Sequence, residues 1–169
     1  PADILFTPNF APRAEYAAAL ERGVQLTIDG LHPLTEWPEL FDGREVILRV
    51  NPDRPRGHHA HVKTAGPKAK FGIPLDVLPA ARAAADAAGA KVIGLHAHAG
   101  SGVTEPDHWK EIGTILAEAA ARFEAVRLLN VGGGLGVPET PDASVLDLAG
   151  VEQNLKALKK GAPGFEIWM

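Results

Sequence analysis

The sequence predicts an α/β fold in which a parallel sheet is assembled from successive βαβ units. Six short apolar runs of strand length alternate with five helical patterns along the chain. Polar and glycine-rich stretches follow the strands rather than precede them, as in folds that bind ligands at the carboxyl ends of parallel strands. No internal repeat or linker divides the 169 residues, so a single core is expected. A doubly wound sheet and a (β/α)₈ barrel both fit this pattern.

The individual elements follow from hydrophobic pattern and from the residues that end each pattern. The predicted strands are short apolar runs at 3–8, 24–28, 45–50, 91–97, 125–131 and 165–169. The predicted helices are alanine-rich or have apolar residues at helical spacing, at 14–22, 31–42, 76–88, 105–123 and 151–160. Gly23 and Gly89 directly follow two helices and are typical helix stops. Residues 52–73 and 137–150 follow neither period and are predicted loops.

Composition and charge restrict the classes of partner. The formal net charge is −4 and no block of Lys and Arg occurs, which argues against nucleic acid or a membrane surface as the main partner. The absence of cysteine excludes disulfides and thiolate metal sites, and suits a cytoplasmic location. No apolar run approaches the roughly 18 residues of a membrane span. Predicted strands lie almost at both termini, so we expect the chain to be part of a longer domain.

The stretch GLHAHAGSG, from Gly94 to Gly102, is the first candidate site. Period-two alternation places His96 and His98 on one face of a strand. The strand ends at Gly100-Ser101-Gly102, a turn that can offer backbone N–H groups and one hydroxyl to an anion.

The second candidate is the run Gly132-Gly133-Gly134-Leu135-Gly136, which directly follows a predicted strand. Its spacing does not match GxGxxG, because Val137 follows and the next helix begins well downstream, so a dinucleotide site is disfavoured. A tight strand exit would explain the glycines in structural terms alone. Together with the turn around Ser101, the run predicts a phosphate-binding cradle.

Two further interpretations remain open from the residues themselves. His96 and His98 could be metal ligands, as in metal-dependent hydrolases, although later strands supply no further acidic ligand. Asp29 and Arg49 end their strands and could orient a ligand at the same rim, while Asp29 could instead cap a helix. Three histidines of the long loop, at positions 58, 59 and 61, are interpreted as part of a solvated loop.

Four motifs in this order resemble the fold-type III pyridoxal-phosphate decarboxylases: LRVNP, HVKTAGPKAKFGI, GLHAHAGSG and LLNVGGGLG. Their order and spacing are most similar to the diaminopimelate decarboxylases, particularly the form fused to an aspartate kinase. The opening stretch LFTPNFAPRAEYAAALERGVQLTIDGLHPL fits as well, so the resemblance covers essentially the whole chain.

The resemblance implies a TIM-type (β/α)₈ barrel of the alanine-racemase type, here with about six of its eight strands, and pyridoxal phosphate as cofactor. It implies that His98 stacks on the cofactor ring as the catalytic residue of this chain, and that Arg49 lies near the phenolic oxygen. His96 would support these residues, and residues 63–71 would border the site. The implied phosphate ligands are Ser101, Gly132, Gly133 and Gly134. No metal is implied.

The sequence also departs from the family pattern. The Schiff-base lysine, in a motif like aromatic-x-Val-Lys-Ala-Asn, does not occur, nor does Glu-Pro-Gly-Arg after the last strand. We therefore expect residues 1–169 to form one partial cofactor-binding barrel domain, without the first strands and the C-terminal β domain, and to be inactive alone.

The resemblance implies that the parent enzyme converts meso-diaminopimelate to L-lysine and CO₂, as a homodimer. An ornithine or arginine decarboxylase, a racemase of the same fold type, and the hydrolase built on the two histidines are the alternatives.

Overall fold

The computed structural model describes residues 3–53 and 70–169. Within these ranges the strands are β1 (Leu5–Phe6), β2 (Gln25–Ile28), β3 (Glu45–Asn51), β4 (Ile73–Pro74), β5 (Lys91–His96), β6 (Leu128–Asn130) and β7 (Glu166–Trp168). The helices are α1 (Arg13–Glu21), α2 (His32–Glu36), α3 (Leu78–Ala87), α4 (His108–Ala120) and α5 (Leu148–Gly161), and a 3₁₀ turn spans Pro38–Leu40.

All strand pairs are parallel, and the main sheet has the order β1-β2-β3-β5-β6-β7. The short strand β4 pairs with the end of β3. The six main strands form a parallel half-barrel. The prediction of a parallel α/β fold is therefore confirmed, as is the order in which strands and helices alternate.

The sheet separates two apolar layers. Its outer face packs against the helices in the larger cluster, which includes Leu48 and Leu95 from the strands and Trp109 from α4. Its inner face carries a smaller cluster of buried residues, Ile47, Ile93 and Leu128. Each buried side chain of this size contributes roughly 1.5–3 kcal/mol relative to an exposed one.

A β-bulge between β3 and β5 determines which residues of β5 lie on the inner face of the sheet. The pairing passes from Val46 with Val92 to Ile47 with Gly94, so Ile93 is an additional residue. Gly94 then lies on the inner face, because a Cβ there would be 3.1 Å from both Ile47 and Leu128 side chains. Side chains alternate along a strand, so His96 faces the same way as Gly94.

Helices α4 and α5 pack closely on the outer face near the end of β6. Gly113 of α4 faces Leu158 of α5, and a Cβ at this position would overlap the leucine side chain. Asp147 caps α5 by accepting a 3.0 Å hydrogen bond from the backbone N–H of Gly150. In the ranges described, no helix has both the length and the apolar character that a bilayer span requires.

The structure corrects several predicted boundaries. The first predicted strand, 3–8, is reduced to Leu5–Phe6, and the strand predicted from residue 125 begins at Leu128. The predicted helix 31–42 breaks at Trp37, because Pro38 cannot continue the hydrogen-bond pattern of α2. The strand β4 was missed, since two residues within a loop show no periodicity.

Candidate functional site

A row of polar side chains crosses the carboxyl ends of neighbouring strands. Arg49 of β3 pairs with His96 of β5, which in turn pairs with Asn130 of β6. Asp29 directly follows β2, next to Arg49. Because the carboxyl ends of parallel strands meet at one edge, these four residues form the floor of a site there.

Arg49 is fixed by a buried ion pair. Its Nη1 donates a 3.0 Å hydrogen bond to Oδ1 of Asp29, and the two side chains are 6% and 4% exposed. The same Nη1 donates to Oδ1 of Asn9 in the loop after β1. Burial raises the pKa of the Asp29 carboxyl, and the Arg49 charge opposes this shift. Asp29 is therefore an ion-pair partner, and α2 has no side-chain cap.

An aromatic side chain covers the Arg49 guanidinium. The Cζ atom of Arg49 lies 5.1 Å from the centre of the Phe71 ring, a cation–π distance. Phe71 in turn contacts Phe10, with ring centres 5.9 Å apart. Phe10 has a φ of 53°, which is rare for a bulky residue. Three loops therefore meet on Arg49.

Strand β5 ends at His96, and His98 lies just beyond it. His96 is buried and His98 half-buried. Burial lowers the pKa of His96 to about 4, assisted by the Arg49 charge and opposed by hydrogen bonding to Asn130. Burial, followed by the Arg49 charge, also lowers the pKa of His98. Both imidazoles are therefore neutral at pH 7.

The pKa of His96 predicts acid sensitivity. The unfolded chain takes up this proton near pH 6.5, whereas the folded protein does so only near pH 4. Between these values the unfolded state binds more protons, so acidification favours unfolding. We expect the free energy of unfolding to fall by about 3 kcal/mol over this range from His96 alone. Denaturant titrations at several values from pH 4 to 7 measure the free energy of unfolding as a function of pH. In His96→Gln this free energy should depend less steeply on pH, and an unchanged dependence would contradict the assignment.

The glycine-rich turn at 132–136, after β6, lies directly against the loop at 97–102, after β5. Gly132 has a φ of +74°, and a Cβ there would lie 2.5 Å from the carbonyl oxygen of Ala97. Gly134 has a φ of +83°, and its Cβ would overlap the carbonyl oxygen of Gly100. At Gly133 a Cβ would meet nothing within 4 Å. Gly132 and Gly134 therefore allow the two loops to touch, and Gly133 borders open space.

Hydrogen bonds join the two loops into one cradle. The N–H of Val103 donates to the carbonyl of Gly134 at 2.9 Å, and that of Gly136 donates to the carbonyl of Val103 at 2.8 Å. Trp109 Nε1 donates to the carbonyl of Gly133 at 3.0 Å. Trp109, a fully buried residue of α4, thus also anchors the cradle.

The histidines connect to the same turn. The N–H of Gly132 donates to Asn130 Oδ1 at 2.9 Å, and the N–H of Gly133 donates to His98 Nδ1 at 3.4 Å. The second bond is long, so a ligand oxygen can readily compete for this N–H. Ser101 is exposed in the adjacent turn.

This arrangement fits a phosphorylated aromatic cofactor. Gly133 offers an open backbone position, Ser101 offers a free hydroxyl, and His98 offers a neutral ring beside them. The buried His96 also has an unpartnered ring nitrogen, Nδ1, next to the cradle. The structure brings together all predicted cofactor residues, which are Arg49, His98, Ser101, Gly132, Gly133 and Gly134.

The metal interpretation lacks a ligand set. Across residues 3–53 and 70–169, no three His, Asp or Glu side chains come together as metal ligands would. His58, His59 and His61 lie outside the described residues, as does most of the predicted border loop 63–71.

Sequence reasoning missed three contributors, Asn9, Trp109 and Asn130, and included Phe71 only as the last residue of the border loop 63–71. Asn130 ends a strand, as Arg49 and His96 do, so the same argument could have identified it. Trp109 carried a signal too, because a buried indole N–H needs a hydrogen-bond partner. Asn9 and Phe71 lie in loops, and no pattern in the sequence indicated their contacts with Arg49.

A family profile described as the pyridoxal binding domain of pyridoxal-dependent decarboxylases matches residues 1–168. Diaminopimelate decarboxylase of Methanothermobacter thermautotrophicus is 33% identical over 154 residues, which are 88% of this chain and 36% of that protein. The chain thus spans about a third of the length of the curated relatives that it matches.

Two solved structures share the fold. Diaminopimelate decarboxylase from Helicobacter pylori, in complex with L-lysine, superposes with a TM-score of 0.87 at 21% identity, over 99% of this chain and 45% of that one. The arginine decarboxylase of Paramecium bursaria Chlorella virus gives 0.76 at 21% identity, over 98% and 44%. At these identities the likeness concerns the fold, and it confirms the barrel type predicted for the sheet.

Proposed function

The chain belongs to the pyridoxal-dependent decarboxylases, and we propose that it forms the central, phosphate-holding part of a decarboxylase that acts on meso-diaminopimelate. The observation that carries the proposal is the cradle between the two glycine loops, with the neutral His98 ring beside it. The family relationship supports pyridoxal phosphate as the group that fills it.

Each predicted residue has a physical task in this proposal. The backbone of Gly132, Gly133 and Gly134 and the hydroxyl of Ser101 would hold the phosphate. His98, being neutral and half-buried, would cover the ring without adding a charge. Arg49, held in place by Asp29, would offer a fixed positive charge to the phenolic oxygen.

The chemistry that the cofactor supplies when bound is withdrawal of the electrons left by departing CO₂. The residues of the cradle, together with Arg49 and His98, would orient the ring and anchor the phosphate. The two family motifs with the Schiff-base lysine and with Glu-Pro-Gly-Arg do not occur in residues 1–169. We therefore expect these residues to bind the cofactor without completing the reaction.

Meso-diaminopimelate is the proposed substrate, because the curated relatives at about 30% identity are named for this reaction. Ornithine or arginine decarboxylation is the second candidate, supported by the fold shared with the viral arginine decarboxylase. Product analysis of the intact gene product with each amino acid distinguishes the two. Lysine and CO₂ from meso-diaminopimelate alone would support the first.

We predict that residues 1–169 bind pyridoxal phosphate saturably and quench the fluorescence of Trp109, whose indole N–H lies on the cradle. Calorimetry should give the same affinity, and Trp109→Phe should lose most of the quench. No CO₂ should be released from meso-diaminopimelate. Turnover by residues 1–169 alone would contradict the partial-domain proposal, and failure of the intact gene product to bind pyridoxal phosphate would contradict the function.

Three assembly features complete the proposal: a single partial barrel domain over residues 1–169, a homodimeric enzyme in the cytoplasm, and a fused aspartate kinase. Light scattering and sequencing of the intact gene product test the second and third of these.

A further inference from the structure

His96 occupies a central position on the inner face of the sheet. It lies two residues after Gly94, whose missing Cβ would point at Ile47 and Leu128 of the inner cluster. Its register partners are Arg49 on one side and Asn130 on the other. His96 therefore faces the interior of the half-barrel, in the row directly beneath the candidate cofactor site.

The ring of His96 has an unsatisfied atom. The residue is 6% exposed, and its Nδ1 is buried without a hydrogen-bond partner. Among the described residues only one other buried side-chain atom shares this condition, Oδ2 of Asp29, on the opposite side of Arg49. Buried polar atoms are nearly always paired, and exceptions commonly mark sites where a ligand or water completes the bond.

The position of the ring proton decides what Nδ1 can do. Asn130 stabilises the protonated ring through its side chain and its backbone, as groups that accept hydrogen bonds from the imidazole do. Because Nδ1 is the ring nitrogen without a partner, we assign the ring proton to Nε2. A neutral imidazole with Nε2 protonated carries its lone pair on Nδ1, which is then an acceptor.

We propose that Nδ1 of His96 accepts a hydrogen bond from an N–H or O–H group of the ligand held between Arg49 and His98, so that His96 is a positioning residue for that ligand. The inference rests on the proposed function. It gives His96 a direct contact, whereas the resemblance implies only a supporting role.

Two substitutions separate this contact from a structural role. In His96→Asn, the amide oxygen can take the place of Nδ1, while the donor at Nε2 is lost. In His96→Gln, the amide nitrogen can take the place of the Nε2 donor, while the acceptor at Nδ1 is lost. Each variant therefore removes one hydrogen-bonding group of the ring and keeps the other.

The affinity for pyridoxal phosphate, measured by calorimetry on the intact gene product, should distinguish the roles. We expect His96→Gln to weaken binding about tenfold, the effect of one lost hydrogen bond, and His96→Asn to weaken it by much less. A purely structural role predicts the opposite order, because Asn130 also holds the N–H of Gly132. The opposite order, or equal effects, would overturn the inference.

The wild-type protein provides a test that needs no variant to fold. In ¹⁵N-histidine spectra the Nδ1 signal of His96, assigned as the one missing from His96→Gln or by through-bond correlation, should shift when pyridoxal phosphate or its complex with lysine binds. Inorganic phosphate alone should leave it in place. A bound cofactor without a shift would overturn the inference while leaving the proposed function intact. An equal shift with phosphate alone would also overturn it, because the change would then arise in the turn of Asn130 and Gly132. Failure to bind the cofactor would instead contradict the proposed function, and the inference with it.

Discussion

Replacing Gly134 by alanine is expected to weaken the binding of pyridoxal phosphate by about a hundredfold. The new Cβ would overlap the carbonyl oxygen of Gly100, and the φ of +83° would become strained. Overpacking and the strained backbone together cost about 3 kcal/mol, which separates the two loops or distorts the turn. Such a cost corresponds to about two powers of ten in affinity. Calorimetric titration with the cofactor measures it.

Gly23→Ala provides the matched control. Gly23 has a similar φ of +67°, but a Cβ there would meet nothing within 4 Å, and the residue follows α1 rather than the cradle. Gly23→Ala should therefore lower the melting temperature through the same kind of backbone strain, without changing the affinity for the cofactor. If both variants bind like the wild type, the cradle does not hold the phosphate.

Replacing Asp29 by asparagine is expected to lower the free energy of unfolding by about 3–5 kcal/mol, because it leaves the buried Arg49 charge without its counter-charge. For a chain of this size the melting temperature should fall by roughly 6–20 °C. Thermal unfolding followed by circular dichroism at pH 7 measures the change. The double variant Arg49→Met with Asp29→Leu should recover much of the stability. It buries no charge, so the cost of desolvating the two charges disappears.

An exposed ion pair serves as the control for this prediction. Arg13 donates a 2.8 Å hydrogen bond to Glu39, and both side chains are more than half exposed. Because solvent screens this pair, Glu39→Gln should hardly shift the melting temperature. An Asp29→Asn variant that melts like Glu39→Gln would show that the buried pair contributes no more than a surface pair.

The fold could be predicted from sequence largely because helix and strand periods differ and because glycine or proline ends most elements. The row containing Arg49 and His96 could also be anticipated, since polar residues at strand ends meet at one edge. The bulge at Ile93 could not be predicted from the sequence, because a one-residue shift in strand pairing does not change the local composition.

The side-chain contacts within the site were harder to predict than its location. The resemblance implied a place for Arg49 near the cofactor, but not its stacking on Phe71 or its bond to Asn9. Such contacts join loops distant in the chain and depend on backbone angles, such as the φ of Phe10, that no motif encodes. Glycines were informative for the opposite reason, since Gly132 and Gly134 allow approaches that any side chain would block.

The agreement between sheet order and chain order has a consequence for biosynthesis. Apart from the short β4, each strand pairs with the strand made just before it, through partners only 20 to 47 positions apart. A ribosome adding roughly 5–20 residues per second supplies each new partner within seconds, so the sheet can grow strand by strand on the nascent chain. The bridge between Val103 and Leu135 must wait for β6. The cradle therefore closes only after the chain has been made beyond Leu135, later than β1, β2 and β3 can pair.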